Sequence, residues 1–274
     1  MPAASSEDAR WLAAAAALAS RGRPLSRPNP AVGAVVVRDG IAVGRGWTQA
    51  GGRPHAEAMA LEQAGEAARG ATLYVTLEPC AHDSERGPCC TGLAIAAGVK
   101  RVVAGIEDPD PRTAGTGLAR LRDSGIMAEL ADDPACRASL AGYLSLRRQG
   151  RAFVTLKLAL SIDGCIALAD GTSRWITGEA ARAHAHLERA RSDAILVGGG
   201  TLRADDPRLD VRLPGLEARS PQRCVLTNGE APAGWTGLSS PQGIFSLDDA
   251  QYLLVEGGAG AAGAFLAADL ADRL

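Results

Sequence analysis

Apolar positions along the chain alternate between short runs of strand length and stretches with helical spacing. Runs at residues 34–38 and 41–47 flank Asp39-Gly40, which predicts a hairpin, because this dipeptide readily takes the positive φ values of a two-residue turn. A helical pattern follows from His55 to about Ala68 and stops at Gly70. Next come a strand at 72–77, a polar loop, a helix from about Cys89 to Ala97, a strand at 99–106, a helix at 117–123 and a strand at 126–130. After the hairpin, this strand–helix alternation predicts an α/β layer with largely parallel later strands. Upstream, an alanine-rich run after Glu7, Asp8 and Arg10 predicts an amphipathic helix capped by Ser5 or Ser6.

The pattern resets across the basic stretch Arg147 to Arg151, which divides the chain into domains of 1–148 and 149–274. The second half opens with a strand at 153–160 and a turn at Asp163-Gly164. A helix at about 178–192, a buried strand at 194–197 and a Pro- and Asp-rich loop at 203–214 follow. Strands at 223–227 and 251–256 then precede a helix that runs off the chain. No internal repeat is visible.

Composition narrows the function. A length of 274 residues suits about two domains of roughly 100–200 residues each, and 46% hydrophobic residues can fill their cores. A net charge of −2 and 4% aromatic residues argue against a nucleic-acid binder, which needs a basic excess and stacking platforms. They suit an enzyme of small soluble metabolites. The alanine run is too short to span a bilayer and its flanking charges do not suit a signal peptide, so no membrane association and a cytoplasmic setting are expected. In that setting, six cysteines point to metal binding or catalysis rather than to disulfides.

Three stretches carry candidate chemistry: Pro54-His55-Ala56-Glu57, Glu78-Pro79-Cys80 and Pro88-Cys89-Cys90. One histidine and two cysteines (His55, Cys80 and Cys89) suit Zn²⁺ and leave a fourth position for water, the catalytic arrangement. Cys90 is set aside because its neighbour fills the site. Zinc brings the pKa of a bound water to about 7, and Glu57, two residues after His55 at a helix start, is the expected proton shuttle. A fourth ligand from His82 or Cys90 would instead make the zinc structural. Cys136, Cys165 and Cys224 follow no pattern. His184 and His186, two apart on a helical stretch, are expected to face solvent.

The H-x-E and P-C elements are those of zinc deaminases, but Cys80 and Cys89 lie nine residues apart rather than three. With that spacing, the His-containing loop, Pro28-Asn29-Pro30-Ala31-Val32-Gly33 and the segment from Asp108 to Gly117, the chain resembles the bifunctional riboflavin-biosynthesis deaminase/reductase family. The second half resembles the reductase part through Thr155-Leu156-Lys157, Ser161-Ile162-Asp163-Gly164, Ser173-Arg174-Trp175-Ile176-Thr177, Ile195-Leu196-Val197-Gly198 and Val255-Glu256-Gly257-Gly258. The resemblance implies a cytidine-deaminase-like three-layer domain, then a dihydrofolate-reductase-like α/β domain that looks shortened between Arg212 and Glu256 and at its end.

It also implies roles. Asn29 and His82 would contact the deaminase substrate. Ser173, Arg189, Leu209, Arg212 and Glu256 would hold the reductase substrate. Ala159, Trp175, Thr201 and Asp205 would lie along NADPH, and Lys157 would position or protonate the reacting centre. Gly258-Ala259-Gly260-Ala261-Ala262-Gly263 formally fits a dinucleotide fingerprint, but the acidic residue expected about 20 positions later is missing. Gly258 and Gly260 are therefore read as a phosphate-cradling turn at a helix start. The implied function is deamination of a phosphoribosylamino-diaminopyrimidine followed by reduction of its ribosyl group, by a self-associating enzyme. A nucleoside or nucleobase deaminase with a non-functional appendage and a zinc-stabilised binding module are the rivals.

Overall fold

The computed structural model describes residues 5–82, 86–170, 172–173 and 176–274. The chain divides into two compact units, residues 1–148 and 149–274. In the first, helix α1 (Ser6–Ala19) begins with a reciprocal cap. The Ser5 hydroxyl accepts from Asp8 N, and the Asp8 carboxylate accepts from Ser5 N. Leu12, Ala15 and Ala19, spaced three and four apart, are fully buried.

Strands β1 (Gly33–Arg38) and β2 (Ile41–Trp47) form the expected hairpin, with φ of 51° at Asp39 and 74° at Gly40. β1 also pairs antiparallel with β3 (Thr72–Leu77). β3, β4 (Arg101–Ile106) and β5 (Met127–Leu130) run parallel, in the order β2-β1-β3-β4-β5. Consecutive residues of β1, β3 and β4 are buried, so helices cover both faces and the unit has three layers. α1 packs on the central strands, and α2 (Ala56–Ala64) packs on the hairpin and on α3 (Cys90–Ala97).

Glycines bring α2 close to β2. A Cβ on Gly44 would lie 2.0 Å from Ala60 O, and one on Gly46 would lie 2.1 Å from Ala56 O. No side chain fits there, so the helix rests on bare backbone and its first turn is fixed relative to the sheet. The helical pattern expected as far as Ala68 is α2 plus a 3₁₀ turn at Gly65–Ala68. After α4 (Thr116–Asp123) and β5, the chain adds two helices not expected from the pattern, α5 (Pro134–Ser139) and α6 (Ala141–Gln149). Their start was marked by Asp133-Pro134, since Asp133 caps α5 through Cys136 N at 2.8 Å.

In the second unit, β6 (Phe153–Leu156), β7 (Ala194–Gly198), β8 (Gln222–Leu226), β9 (Thr236–Leu238) and β10 (Tyr252–Val255) form a parallel sheet in the order β6-β10-β7-β8-β9. Helices α7 (Glu179–Ala190), α8 (Gly199–Asp205) and α9 (Ala259–Ala267) accompany it. β6 is shorter than expected, because its pairing with β10 stops at Leu156. Helix α8 replaces the start of the expected loop, and β9 was not expected. The last helix does not run off the chain. After Ala267 the chain returns to β6, where the Asp272 carboxylate accepts from Arg151 at 2.5 and 2.8 Å and from Val154 N at 2.7 Å. Among the described residues, no helix is long and apolar enough to cross a membrane.

Candidate active site

Two helix starts and one strand end build the first site. His55 is the N-cap of α2, Glu57 lies in its first turn, Cys80 follows β3, and Cys90 is the first residue of α3. The ligand atoms of His55, Cys80 and Cys90 lie within 4.8 Å of one another, the one such group found among the described residues. His55 Nδ1 is 3.3 Å from Cys90 Sγ and 3.8 Å from Cys80 Sγ, and Cys90 N donates to Cys80 Sγ at 3.3 Å. The other ring nitrogen, Nε2, lies 3.5 Å from Asn29 Nδ2, so Asn29 helps to orient the ring that aims Nδ1 at the thiols.

The structure groups Cys90, not the expected Cys89, with His55 and Cys80. Cys89 is the N-cap of α3, with extended backbone, and its Sγ sits 3.4 Å from Thr91 Oγ1 and 3.2 Å from Arg120 Nη1. Counting residues from Cys80 through the loop favours Cys89. In the structure the register of α3 places the Sγ of its first helical residue, Cys90, next to His55.

The electrostatics suit a metal. The Cys80 thiol is pulled down to about 4, first by a hydrogen bond from Cys90 and then, against burial, by His55. Cys90, as donor to that thiolate and buried, is pushed well up. Burial opposes charge on His55, but the Cys80 hydrogen bond and the Glu57 charge together raise its pKa. Burial raises the Glu57 carboxyl, which is 4% exposed and lies outside the ligand group. One imidazole and two thiols with room for a fourth ligand fit Zn²⁺.

A cleft of about 350 Å³ opens over this group, lined among others by Asn29, Glu57, His82, Asp108 and Tyr143. The buried His82 Nδ1 has no hydrogen-bond partner within the described residues, as expected of a group that meets a ligand. The sequence reading missed the work of Glu78. Its buried carboxylate accepts from Gly115 N at 2.9 Å and Leu118 N at 3.0 Å, which ties the start of α4 to the ligand strand. Its place two residues before Cys80 was the available signal.

A second cleft, of about 720 Å³, lies in the second unit and is lined by Lys157, Ala159, Ser173, Arg189, Asp205, Arg212 and Glu256, among others. Arg189 grips Glu256 bidentately, Nε–Oε1 2.6 Å and Nη2–Oε2 2.9 Å, and Lys157 Nζ stands 3.8 Å from Glu256 Oε2. Arg189 is thus held in an ion pair rather than solvated. His186 also differs from expectation: it lines the cleft and its Nδ1 accepts from Arg212 N at 3.2 Å. His184 lines the cleft too, and is exposed.

Leu209 is 4% exposed and packs with Ile195, Val197 and Leu254 rather than in the cleft. Thr201, Gly258 and Gly260 do not line it either. They gather at the start of α9, where a Cβ on Gly258 would stand 3.7 Å from Thr201 Oγ1. Trp175 lies outside the described residues.

A three-layer unit with an imidazole and two thiols at helix starts, and a buried carboxylate two residues after the imidazole, defines the zinc-dependent deaminase class. Residues 5–106 match the cytidine and deoxycytidylate deaminase zinc-binding region, and residues 152–236 match the RibD C-terminal domain, which is dihydrofolate-reductase-like. The riboflavin biosynthesis protein RibD of Haemophilus influenzae is 49% identical over 76% of this chain and 56% of its own length. That of Corynebacterium ammoniagenes is 41% identical over 92% of this chain and 80% of its own. The chain spans 56% to 61% of the length of the Haemophilus, Escherichia coli and Aquifex relatives.

Among solved structures, the Thermotoga maritima diaminohydroxyphosphoribosylaminopyrimidine deaminase/5-amino-6-(5-phosphoribosylamino)uracil reductase superposes with a TM-score of 0.85 at 34% identity, over 97% of this chain and 84% of that one. Acinetobacter baumannii RibD gives 0.82 at 36% identity, over 97% and 85%. The chain belongs to the RibD family.

Proposed function

We propose that this chain is a two-step enzyme of riboflavin biosynthesis. Its first unit hydrolytically deaminates 2,5-diamino-6-(5-phosphoribosylamino)pyrimidin-4-one, and its second reduces the ribosyl group of the product to ribityl with NADPH. The observation that carries the first step is the buried Glu57 carboxyl lining one cleft with His55 and Cys80, which group with Cys90. His55, Cys80 and Cys90 would hold zinc, which when bound supplies a nucleophile at neutral pH by lowering the pKa of water to about 7. Glu57 takes the proton released there and delivers it to the departing amine, a role that suits a carboxyl whose pKa burial has raised. Asn29 orients His55, and the unpartnered His82 nitrogen meets the substrate.

In the second unit, Gly258 and Gly260 leave the start of α9 bare, and with Thr201 they fit the phosphates of NADPH, which supplies hydride when bound. Ala159 and Asp205 extend that cofactor site, and Ser173 and Arg212 belong to the substrate side. The Arg189–Glu256 pair holds the carboxylate 3.8 Å from Lys157 Nζ, which aims the lysine at the reacting centre. The enzyme acts on a small molecule in the cytoplasm and binds no nucleic acid; it self-associates.

Ammonia release from the diaminopyrimidine phosphate, followed together with NADPH absorbance, tests both halves. Release by the wild type, at least 10³-fold lower in Glu57→Gln with zinc retained, and then NADPH consumption is the expected outcome. Zinc-loaded protein that releases no ammonia would sink the deaminase reading. Ammonia without NADPH loss would sink the second step.

A further inference from the structure

The cleft at the metal group is also lined by two carboxylates in different surroundings. Asp110 is neutralised: Arg112 Nη2 lies 2.6 Å from its Oδ2, and Arg147 Nη2 lies 3.4 Å away. Asp108, 8% exposed, forms no ion pair among the described residues. Its protein donors are Asp110 N at 3.0 Å and the Tyr143 hydroxyl at 2.9 Å, and both reach Oδ1. Oδ2 therefore has no partner within the described residues, in a side chain that lines the cleft. Burial raises the Asp108 carboxyl, and these two donors oppose it.

Helix α6 supplies Tyr143 and Arg147 four residues apart, so both fall on the helix face turned to the cleft. The Arg147 guanidinium lies 5.6 Å from the Tyr143 ring centroid, which braces the phenol. Tyr143 is 3% exposed, and its hydroxyl donates to Asp108 from 35 positions along the chain. A buried hydroxyl spent, beside Asp110 N, on one oxygen of a carboxylate that forms no ion pair among the described residues helps to set the plane of that carboxylate. A pyrimidinone presents ring and exocyclic N–H donors in its own plane, so the orientation of the acceptor matters.

We propose that Tyr143 is a positioning residue for deamination: by fixing Asp108 Oδ1, it aims Oδ2 at the N–H donors of the aminopyrimidinone ring over the metal group. The inference rests on the proposed deaminase reading and adds to it a residue from outside the metal-ligand motifs.

Equilibrium binding of 2,5-diamino-6-(5-phosphoribosylamino)pyrimidin-4-one to zinc-loaded Glu57→Gln protein separates positioning from turnover. Adding Tyr143→Phe, which removes only the hydroxyl, is expected to weaken binding about 5- to 10-fold, with zinc content unchanged. In the otherwise wild-type chain, Tyr143→Phe should raise KM by a similar factor and leave kcat within about twofold. Equal affinity with and without the hydroxyl overturns the proposal, as does absence of binding. A fall in kcat that tracks lost zinc or lost thermal stability also overturns it, because the role is then structural. Binding that depends on Tyr143 in a chain that releases no ammonia supports this inference and sinks the deaminase reading alone.

Discussion

Adjacent cysteines make the zinc assignment testable with two single-atom changes. Cys90→Ser replaces the sulfur that lies 3.3 Å from His55 Nδ1, whereas Cys89→Ser replaces one that faces Thr91 and Arg120. Zinc binding in four-ligand sites amounts to about 10–16 kcal/mol, or roughly 3 kcal/mol per ligand. Loss of one thiolate should therefore weaken zinc about 10²-fold. Cys89→Ser removes no ligand and should change zinc affinity by less than about threefold, apart from a small cost at the start of α3. Competition with a chromogenic chelator at fixed pH reads both constants, and metal analysis after dialysis checks stoichiometry. Cys89→Ser losing zinc while Cys90→Ser keeps it would refute the reasoning, and with it the idea that helix register rather than loop length chooses the ligand.

Asp8 is held down to about 2, first by its hydrogen bonds with Arg101 and, against burial, by Ser5 and Tyr74. A folded pKa below the unfolded 3.8 contributes stability above about pH 4 and loses it as pH falls toward 2. Asp8→Asn should thus cost about 2 kcal/mol at pH 7 in urea unfolding and much less near pH 2; a constant difference across that range would contradict the linkage. Gly46→Ala drives a methyl into Ala56 O, so it should destabilise the protein by about 1–3 kcal/mol and also weaken zinc. Wild-type zinc affinity in that variant would show that the seating of α2 does not set His55. Glu256→Gln breaks the paired grip on Arg189 and should abolish NADPH oxidation while ammonia release persists; a reductase of normal rate would remove Glu256 from the mechanism.

Local signals determined a good deal about this chain. Asp39-Gly40 specified the hairpin because two residues sufficed to supply its positive φ values. The period of apolar residues specified β3 and most of α7, and the short motifs nominated His55, Glu57 and Cys80 before any contact was known. What escaped was short or non-local. Helix α8 and strand β9 are 7 and 3 residues long, too short for a period to develop. The end of β6 depended on where β10 stops offering partners.

The site divides in the same way. Residue type and order proposed the metal chemistry, but which of Cys89 and Cys90 lies beside His55 depends on the rotation of α3, which the local sequence does not contain. Glu78 bonded to the start of α4, Tyr143 bonded to Asp108, and Arg189 clamped on Glu256 join residues 35 to 67 positions apart. Nothing in the local sequence records such pairs. They exist because sheets and helices of unrelated registers bring buried polar groups to within about 3 Å, where an unmet hydrogen bond is costly.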